Sequence, residues 1–274
     1  MAFVALITGA SSGIGEATAR RLAREPGTRL LLVARREERL QALAHELGGA
    51  TVIAIDLTEP DAPARVREVV EREHGELHLL VNNAGASWRG RFAEAGWAGI
   101  ERHMRLNFEA PVRLTEALLP LIRRTAGATN AGVSPRVSIV NVASTAARVA
   151  RPNSGAYSAS KFALAGWSDA LYGEERPHGV HVGLVLPGFV KTEGFPSAEL
   201  LAHAQTRWLV STPERVAEAI FDAGPGGRAE RYVPRFYALA AGLRLLAPGL
   251  VRRAISGGGL TTATNPGPGP DTTP

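Results

Sequence analysis

The chain has 274 residues, 45% of them apolar, and carries a net charge of +5 from 31 Lys+Arg against 26 Asp+Glu. That length supports one sizeable core rather than two comfortable domains, and the complete lack of cysteine excludes disulfides, thiolate-bound zinc and a thiol nucleophile. The positive charge is scattered arginine without an aromatic-rich basic cluster in the first 225 residues, which argues against nucleic acid as a partner.

Residues 3–7 form a short apolar run of the kind buried on both faces of a parallel sheet. The run is too short for a secretory h-region, and a cytoplasmic protein is expected. It leads into Thr8-Gly9-Ala10-Ser11-Ser12-Gly13-Ile14-Gly15 and then a helical pattern from Glu16 to Ala23. Strand, glycine-rich turn and helix in that order is the context of a dinucleotide site, where glycines admit a pyrophosphate to the helix N-terminus. The spacing here is G-x-x-x-G-x-G, which differs from the general G-x-G-x-x-G.

A second strand over 29–34 ends at Arg35-Arg36. An acid at this strand end hydrogen-bonds a ribose 2′-hydroxyl, whereas an arginine accommodates a 2′-phosphate. Arg35 therefore points to NADP(H), with NAD(H) as the alternative and a helix-opening polar residue as the plain structural one. Helical patterns over 37–47 and 61–74 separate a strand at 51–56 from one at 77–81. The latter ends in Asn82-Asn83-Ala84-Gly85, small and amide-bearing residues suited to a flat ligand. A helix is expected over 97–121, closed by Pro120 and a flexible loop over 125–135. A fifth strand over 137–142, a helix over 157–172 and a sixth strand over 180–186 follow.

Regular alternation of strands and helices predicts an α/β fold. It is a Rossmann-type doubly wound parallel sheet of about seven strands in a three-layer α/β/α sandwich. Gly9, Asp56, Asn83, Ser144 and Pro187 all follow strand ends, so the topology gathers them at one edge of the sheet. Tyr157 and Lys161 lie four residues apart, on one face of their helix. An ammonium beside a phenol favours the phenolate, so Tyr157 is expected to have a lowered pKa and to act as acid or base.

Taken together, Thr8-Gly9-x-x-x-Gly13-Ile14-Gly15, Asp56, Asn82-Asn83-Ala84-Gly85, Asn107, Ser144, Tyr157-x-x-x-Lys161 and Pro187-Gly188 followed by Thr192 resemble the short-chain dehydrogenase/reductase family. The resemblance runs over residues 3–192, and the glycine spacing is the one this family uses. It implies an NAD(P)-dependent oxidoreductase interconverting a carbonyl and an alcohol, with Tyr157 as acid/base. Lys161 would lower its pKa and hold the nicotinamide ribose, Ser144 would bond the substrate oxygen, and Asn107 would hold a water linking Lys161 to solvent. Cofactor contacts would come from Gly9, Ser11, Ser12, Gly13, Ile14, Gly15, Arg35, Asp56, Leu57, Asn83, Ala84, Gly85, Pro187, Gly188, Val190 and Thr192. Within these, Asp56 would meet the adenine, Asn83 the adenosine side and Thr192 the carboxamide. No metal is implied, and a homodimer or homotetramer is.

One domain is expected over 1–256, with a substrate lid at 193–211 drawing on Phe195, Leu200, Leu201, Trp208 and Leu209. Thr212-Pro213 opens a helix to Phe221, and 231–233 forms a last strand. Residues 235–255 are apolar and basic, kinked at Pro248-Gly249. They are expected to pack over the cleft or a neighbouring subunit, in preference to lying on an anionic membrane. Residues 257–274, rich in glycine, threonine and proline, form a disordered tail. A non-catalytic NADP(H)-binding sensor would keep the fold without turnover, but it has no chemical need for Ser144, Tyr157 and Lys161 together. The small molecule expected is a ketone or aldehyde of lipophilic character.

Overall fold

A computed structural model describes residues 2–128, 137–193 and 207–256. Strands β1 (Phe3–Thr8), β2 (Thr28–Ala34), β3 (Thr51–Ala54), β4 (Leu79–Asn82), β5 (Ser138–Val142), β6 (His181–Pro187) and, after the short pair β7 (Phe189–Val190) and β8 (Val210–Ser211), β9 (Glu230–Val233) are joined by helices. The main sheet has seven strands in the order β3-β2-β1-β4-β5-β6-β9, every neighbouring pair parallel. The strand order reverses between β1 and β4, where such folds open a crevice for a ligand.

β1 shows how residue pattern makes this sheet. All six of its residues are buried, and its side chains alternate between two cores. Val4 and Leu6 pack with Leu114, Leu118 and Leu171, from α5 (Ala110–Ala128) and α6 (Gly155–Glu175). Ala5 and Ile7 pack with Leu22, Leu40, Val216 and Ile220. These come from α1 (Gly13–Leu22), α2 (Glu37–Glu46) and α7 (Pro213–Ala223). The predicted seven-stranded, three-layer α/β architecture is therefore the observed one.

Some boundaries moved. Asp56 lies beyond β3, and its Oδ1 accepts from the Thr58 N–H at 2.9 Å and from the Thr58 hydroxyl at 2.8 Å, closing a turn. The helix expected over 97–121 is two helices: α4 (Phe92–Met104) and α5, separated by a π-helical turn over Arg105–Glu109 that contains Asn107. Pro120 does not end α5, because it sits on the solvent side, where a missing N–H costs least. Thr125, assigned to a loop, is buried in the last turn of α5. Its hydroxyl accepts from the Leu77 N–H at 3.0 Å and donates to the Leu121 carbonyl. Ala126 to Ala128 continue α5, and the remainder of that expected loop, 129–135, lies outside the described residues. So do Phe195, Leu200 and Leu201 of the expected lid and the tail over 257–274.

Candidate active site

A cleft of about 740 Å³ opens at the carboxyl edge of the sheet, across the β1/β4 crossover. Gly9, Ser11, Ser12, Gly13, Ile14, Arg35, Asp56, Leu57, Asn83, Ala84 and Gly85 line one end. Ser144, Tyr157, Lys161, Pro187, Gly188, Val190 and Thr192 line the other. Among the described residues expected to serve catalysis or bind the cofactor, only Gly15 and Asn107 stand behind the wall, and both are buried.

The glycine-rich turn is shaped for an anion. Ser12 takes the N-cap position of α1, yet its side chain does not cap the helix. Its hydroxyl instead accepts from Arg36 Nη2 at 2.7 Å, and the same guanidinium reaches Ser11 Oγ at 3.1 Å. The free N–H groups of the α1 N-terminus and a guanidinium thus face one space, which suits a pyrophosphate-bearing cofactor. Gly15 is required by contact: a Cβ there would collide with the Gly9 carbonyl and come within 2.8 Å of Asn83 Nδ2.

Thr8 fastens the crossover. Its hydroxyl donates to the Val81 carbonyl and accepts from the N–H groups of Asn83 at 2.9 Å and Ala84 at 3.0 Å. Asn83 Nδ2 returns a bond to the Thr8 carbonyl at 2.8 Å. The two strand ends that flank the cleft are therefore held as one rigid lip.

Arg35 and Arg36 divide the work differently from expectation. Arg35 projects into solvent, its Nη1 3.7 Å from Asp56 Oδ2, whereas Arg36 turns inward to the serines. Arg36 and Arg39 also hold the Glu193 carboxylate, at 3.4 and 2.8 Å, and keep it below the ordinary carboxylate range, Arg39 contributing most.

At the other end, Ser144 is the second residue past the end of β5 and its hydroxyl accepts from the Ala146 N–H at 3.1 Å. Tyr157 and Lys161 lie on α6 as the four-residue spacing requires. Lys161 is buried, its Nζ donating to the Val142 carbonyl at 2.9 Å, and desolvation lowers it to about 8. Tyr157 departs from expectation. Desolvation raises the phenol, partly countered by a hydrogen bond with Ser144 and by the nearby Arg151 cation. Lys161 does not lower it in this structure, because an ammonium that gives up its proton near 8 has lost its charge before a desolvated phenol ionises.

Asn107 faces inward from the π-helical turn. Its Oδ1 accepts from the Ala86 N–H at 2.9 Å, and its Nδ2 donates to the Ala86 carbonyl at 2.9 Å and to Ser160 Oγ at 3.1 Å. Ser160 in turn donates to the Tyr157 carbonyl at 2.8 Å, tying Asn107 to α6. Asn107 Oδ1 and Lys161 Nζ lie 2.9 and 3.4 Å from where a Gly85 Cβ would stand, so both polar atoms flank the same gap.

A scan of protein families matches the short chain dehydrogenase family over residues 3–199. The chain belongs to the short-chain dehydrogenase/reductase family. Dehydrogenase/reductase SDR family member 7B of Danio rerio is 32% identical over 200 residues, 69% of this chain and 61% of that protein. The putative ketoacyl reductase of Streptomyces coelicolor is 37% identical over 77% of this chain and 78% of that protein. Among solved structures, the Pseudomonas aeruginosa RhlG/NADP active-site complex superposes with a TM-score of 0.73 at 29% identity, covering 84% of this chain and 93% of that one. The protein is an NAD(P)-dependent dehydrogenase/reductase.

Several residues in and around this enzyme's cleft gave little sign in the sequence. His103 is buried, donating and accepting through both ring nitrogens: Nδ1 lies 2.6 Å from the Gly99 carbonyl and Nε2 accepts from the Trp88 N–H at 3.0 Å. Its ring stands edge-on 6.2 Å from Tyr157, and desolvation lowers its pKa, so it is a neutral brace. Tyr237 opens α8 (Tyr237–Leu246), and a Cβ on Gly188 would collide with its ring. That close approach is the reason for glycine after Pro187. The hydroxyl donates to the Leu209 carbonyl at 3.3 Å, and the phenol is raised to about 12, chiefly by desolvation. Arg36, next to the arginine singled out, and Ser160, inside the Tyr157–Lys161 motif, were within reach of the same spacing argument. His103 and Tyr237 were not, since each depends on tertiary contact alone.

Proposed function

We propose that this enzyme uses NADPH to reduce a ketone or aldehyde of lipophilic character, with Tyr157 as the proton donor. The observation that carries this reading is the Tyr157 phenol, raised by desolvation and bonded to Ser144 in the cleft that also holds the anion-shaped α1 terminus. A raised phenol keeps its proton at neutral pH, which suits donation to a developing alkoxide.

The cofactor, when bound, supplies or accepts the hydride. Ser144 orients the carbonyl oxygen through its hydroxyl, and Tyr157 gives that oxygen its phenolic proton. At neutral pH, below its own value of about 8, Lys161 would still carry the charge that stabilises the phenolate so formed, and it would hold the nicotinamide ribose. Asn107 and Lys161, flanking one gap beside Gly85, are placed to seat the water that returns a proton from solvent. Thr192 would bond the carboxamide, Asp56 the adenine and Asn83 the adenosine side.

Preference for a 2′-phosphate rests on two arginines, Arg35 in solvent beside Asp56 and Arg36 against the serines. The apolar side of the substrate site is supported by Trp208, tilted against Phe236 with centroids 4.7 Å apart, and by Phe236 lying 4.6 Å from Tyr237. A homodimer or homotetramer formed through the Asn107 and Tyr157 helices is the assembly the family resemblance implies.

The test is NADPH and NADH oxidation against a panel of ketones and aldehydes, alongside Tyr157→Phe, Arg35→Ala and Arg36→Ala. Turnover with NADPH should fall by about 10²–10⁴-fold in Tyr157→Phe with cofactor binding retained. The two arginine changes should each narrow the NADPH/NADH ratio. Tight cofactor binding with no carbonyl reduced would overturn the reading and favour an NADP(H)-binding sensor, whereas full activity in Tyr157→Phe would overturn Tyr157 as the proton donor.

A further inference from the structure

The face of α8 opposite Tyr237 is the clearest feature the reaction does not use. Leu239, Leu243 and Leu246 follow the i, i+4, i+7 spacing that makes one helical stripe, and they are 77%, 51% and 87% exposed. Leu245 and Leu250, the latter on α9 (Pro248–Ser256), are 81% and 63% exposed beside them. The expected packing of this segment is over the cleft or a neighbouring subunit; within the chain, Tyr237 rests on Gly188 at the cleft wall, Phe236 packs on Tyr237 and Ala241 is buried. The leucines are left in water, and a contiguous exposed apolar surface marks a docking site.

Charge says what docks there. Arg235, Arg252 and Arg253 are exposed and Arg244 is half-buried, while residues 231–256 contain no Asp or Glu. We propose that α8 and α9 dock this enzyme on an anionic lipid surface, with the leucine stripe among acyl chains and the arginines on headgroup phosphates. Amphipathic helices with cationic flanks bind membranes in this way, and a guanidinium forks a phosphate well. No helix of the described residues is long and apolar enough to cross the bilayer, and the contact proposed is a peripheral one. A second copy fits less well. Two-fold pairing would set this face against itself, bringing like charges together with no acid in the segment to offset them.

The placement also has a use. The same helix carries Tyr237 onto Gly188 at the cleft wall. A substrate dissolved in the membrane would therefore meet the protein beside its pocket.

Vesicle flotation of the full chain tests this, comparing phosphatidylcholine alone with phosphatidylcholine containing phosphatidylglycerol. The protein should float with the anionic vesicles at least about tenfold more tightly than with the neutral ones, and less so as salt rises. The combined change Leu239→Ser, Leu243→Ser, Leu246→Ser should lower that affinity by about tenfold or more. Its melting temperature and NADPH binding should stay unchanged, because these side chains are already exposed. Arg252→Gln with Arg253→Gln should weaken only the phosphatidylglycerol-dependent part. Failure of the wild type to float with anionic vesicles, or flotation of the leucine variant equal to wild type, would overturn the proposal. So would a wild-type dimer that the leucine changes dissociate without any vesicle binding, which would assign the face to a second copy.

Discussion

Lys161 gives the most direct test of how this site is built. Its ammonium is 4% exposed, bonded to one carbonyl, and shifted from an ordinary 10.5 to about 8 by desolvation. Such a shift disfavours the folded state by about 3 kcal/mol wherever both the folded and the unfolded chain carry the charge. Below about pH 8 both states are protonated and the whole destabilisation is present. As pH rises from about 8 towards 10.5 the folded chain has already released its proton, and the penalty fades. Lys161→Met removes the charge and keeps most of the stem. It also removes the bond to the Val142 carbonyl, a loss of about 1 kcal/mol. The variant should therefore be inactive yet more stable than wild type by about 2 kcal/mol near neutral pH. Urea denaturation of the cofactor-free protein measures this directly. The difference should shrink as pH approaches 10.5. A variant less stable than wild type at neutral pH, or a difference that ignores pH, would refute the argument that burial depresses Lys161.

Other positions give simpler outcomes. Gly15→Ala should destabilise by about 3 kcal/mol and abolish cofactor binding, since the new Cβ overlaps the Gly9 carbonyl; unchanged denaturation and NADPH titration would contradict this. Asn107→Ala strips Ala86 of two partners and Ser160 of one, at a cost of about 2–4 kcal/mol in the same urea assay. A loss below about 1 kcal/mol would mean that water replaces the amide fully. Arg151→Met removes the cation that holds the Tyr157 phenol down, so the pH profile of alcohol oxidation should move to higher pH. A profile that stays in place would show that Arg151 does not act on Tyr157.

Much of this was legible in the sequence, and particular residues show why. β1 announced itself because a run buried on both faces has a simple composition. The cleft residues were legible because a parallel sheet delivers every strand's carboxyl end to one edge, so Ser144 and Asp56 needed only their place in the order. Tyr157 and Lys161 needed only the helical repeat. The electrostatics were not legible. Spacing put an ammonium beside a phenol, but the sign of the phenol's shift depends on which group loses its charge first, and burial decides that. Arg35 and Arg36 differ by one position, and only the path of the chain after β2 tells which turns inward. Tyr237 comes from far along the chain, and no local pattern says that its ring rests on Gly188.

The π-helical turn over Arg105–Glu109 has a consequence for the length of the chain as much as for its composition. Each residue of an α-helix advances the side-chain direction by about 100°, and the wider turn holds one residue more than an α-helical path would. Deleting a single residue between 105 and 109 would let the helix close into regular α geometry. Everything on the α4 side would then be turned relative to α5, and Asn107 could not face Ala86 while Leu114 and Leu118 kept their places in the core. A surplus residue in a helix, elsewhere a minor irregularity, here sets the phase between the substrate wall and the core.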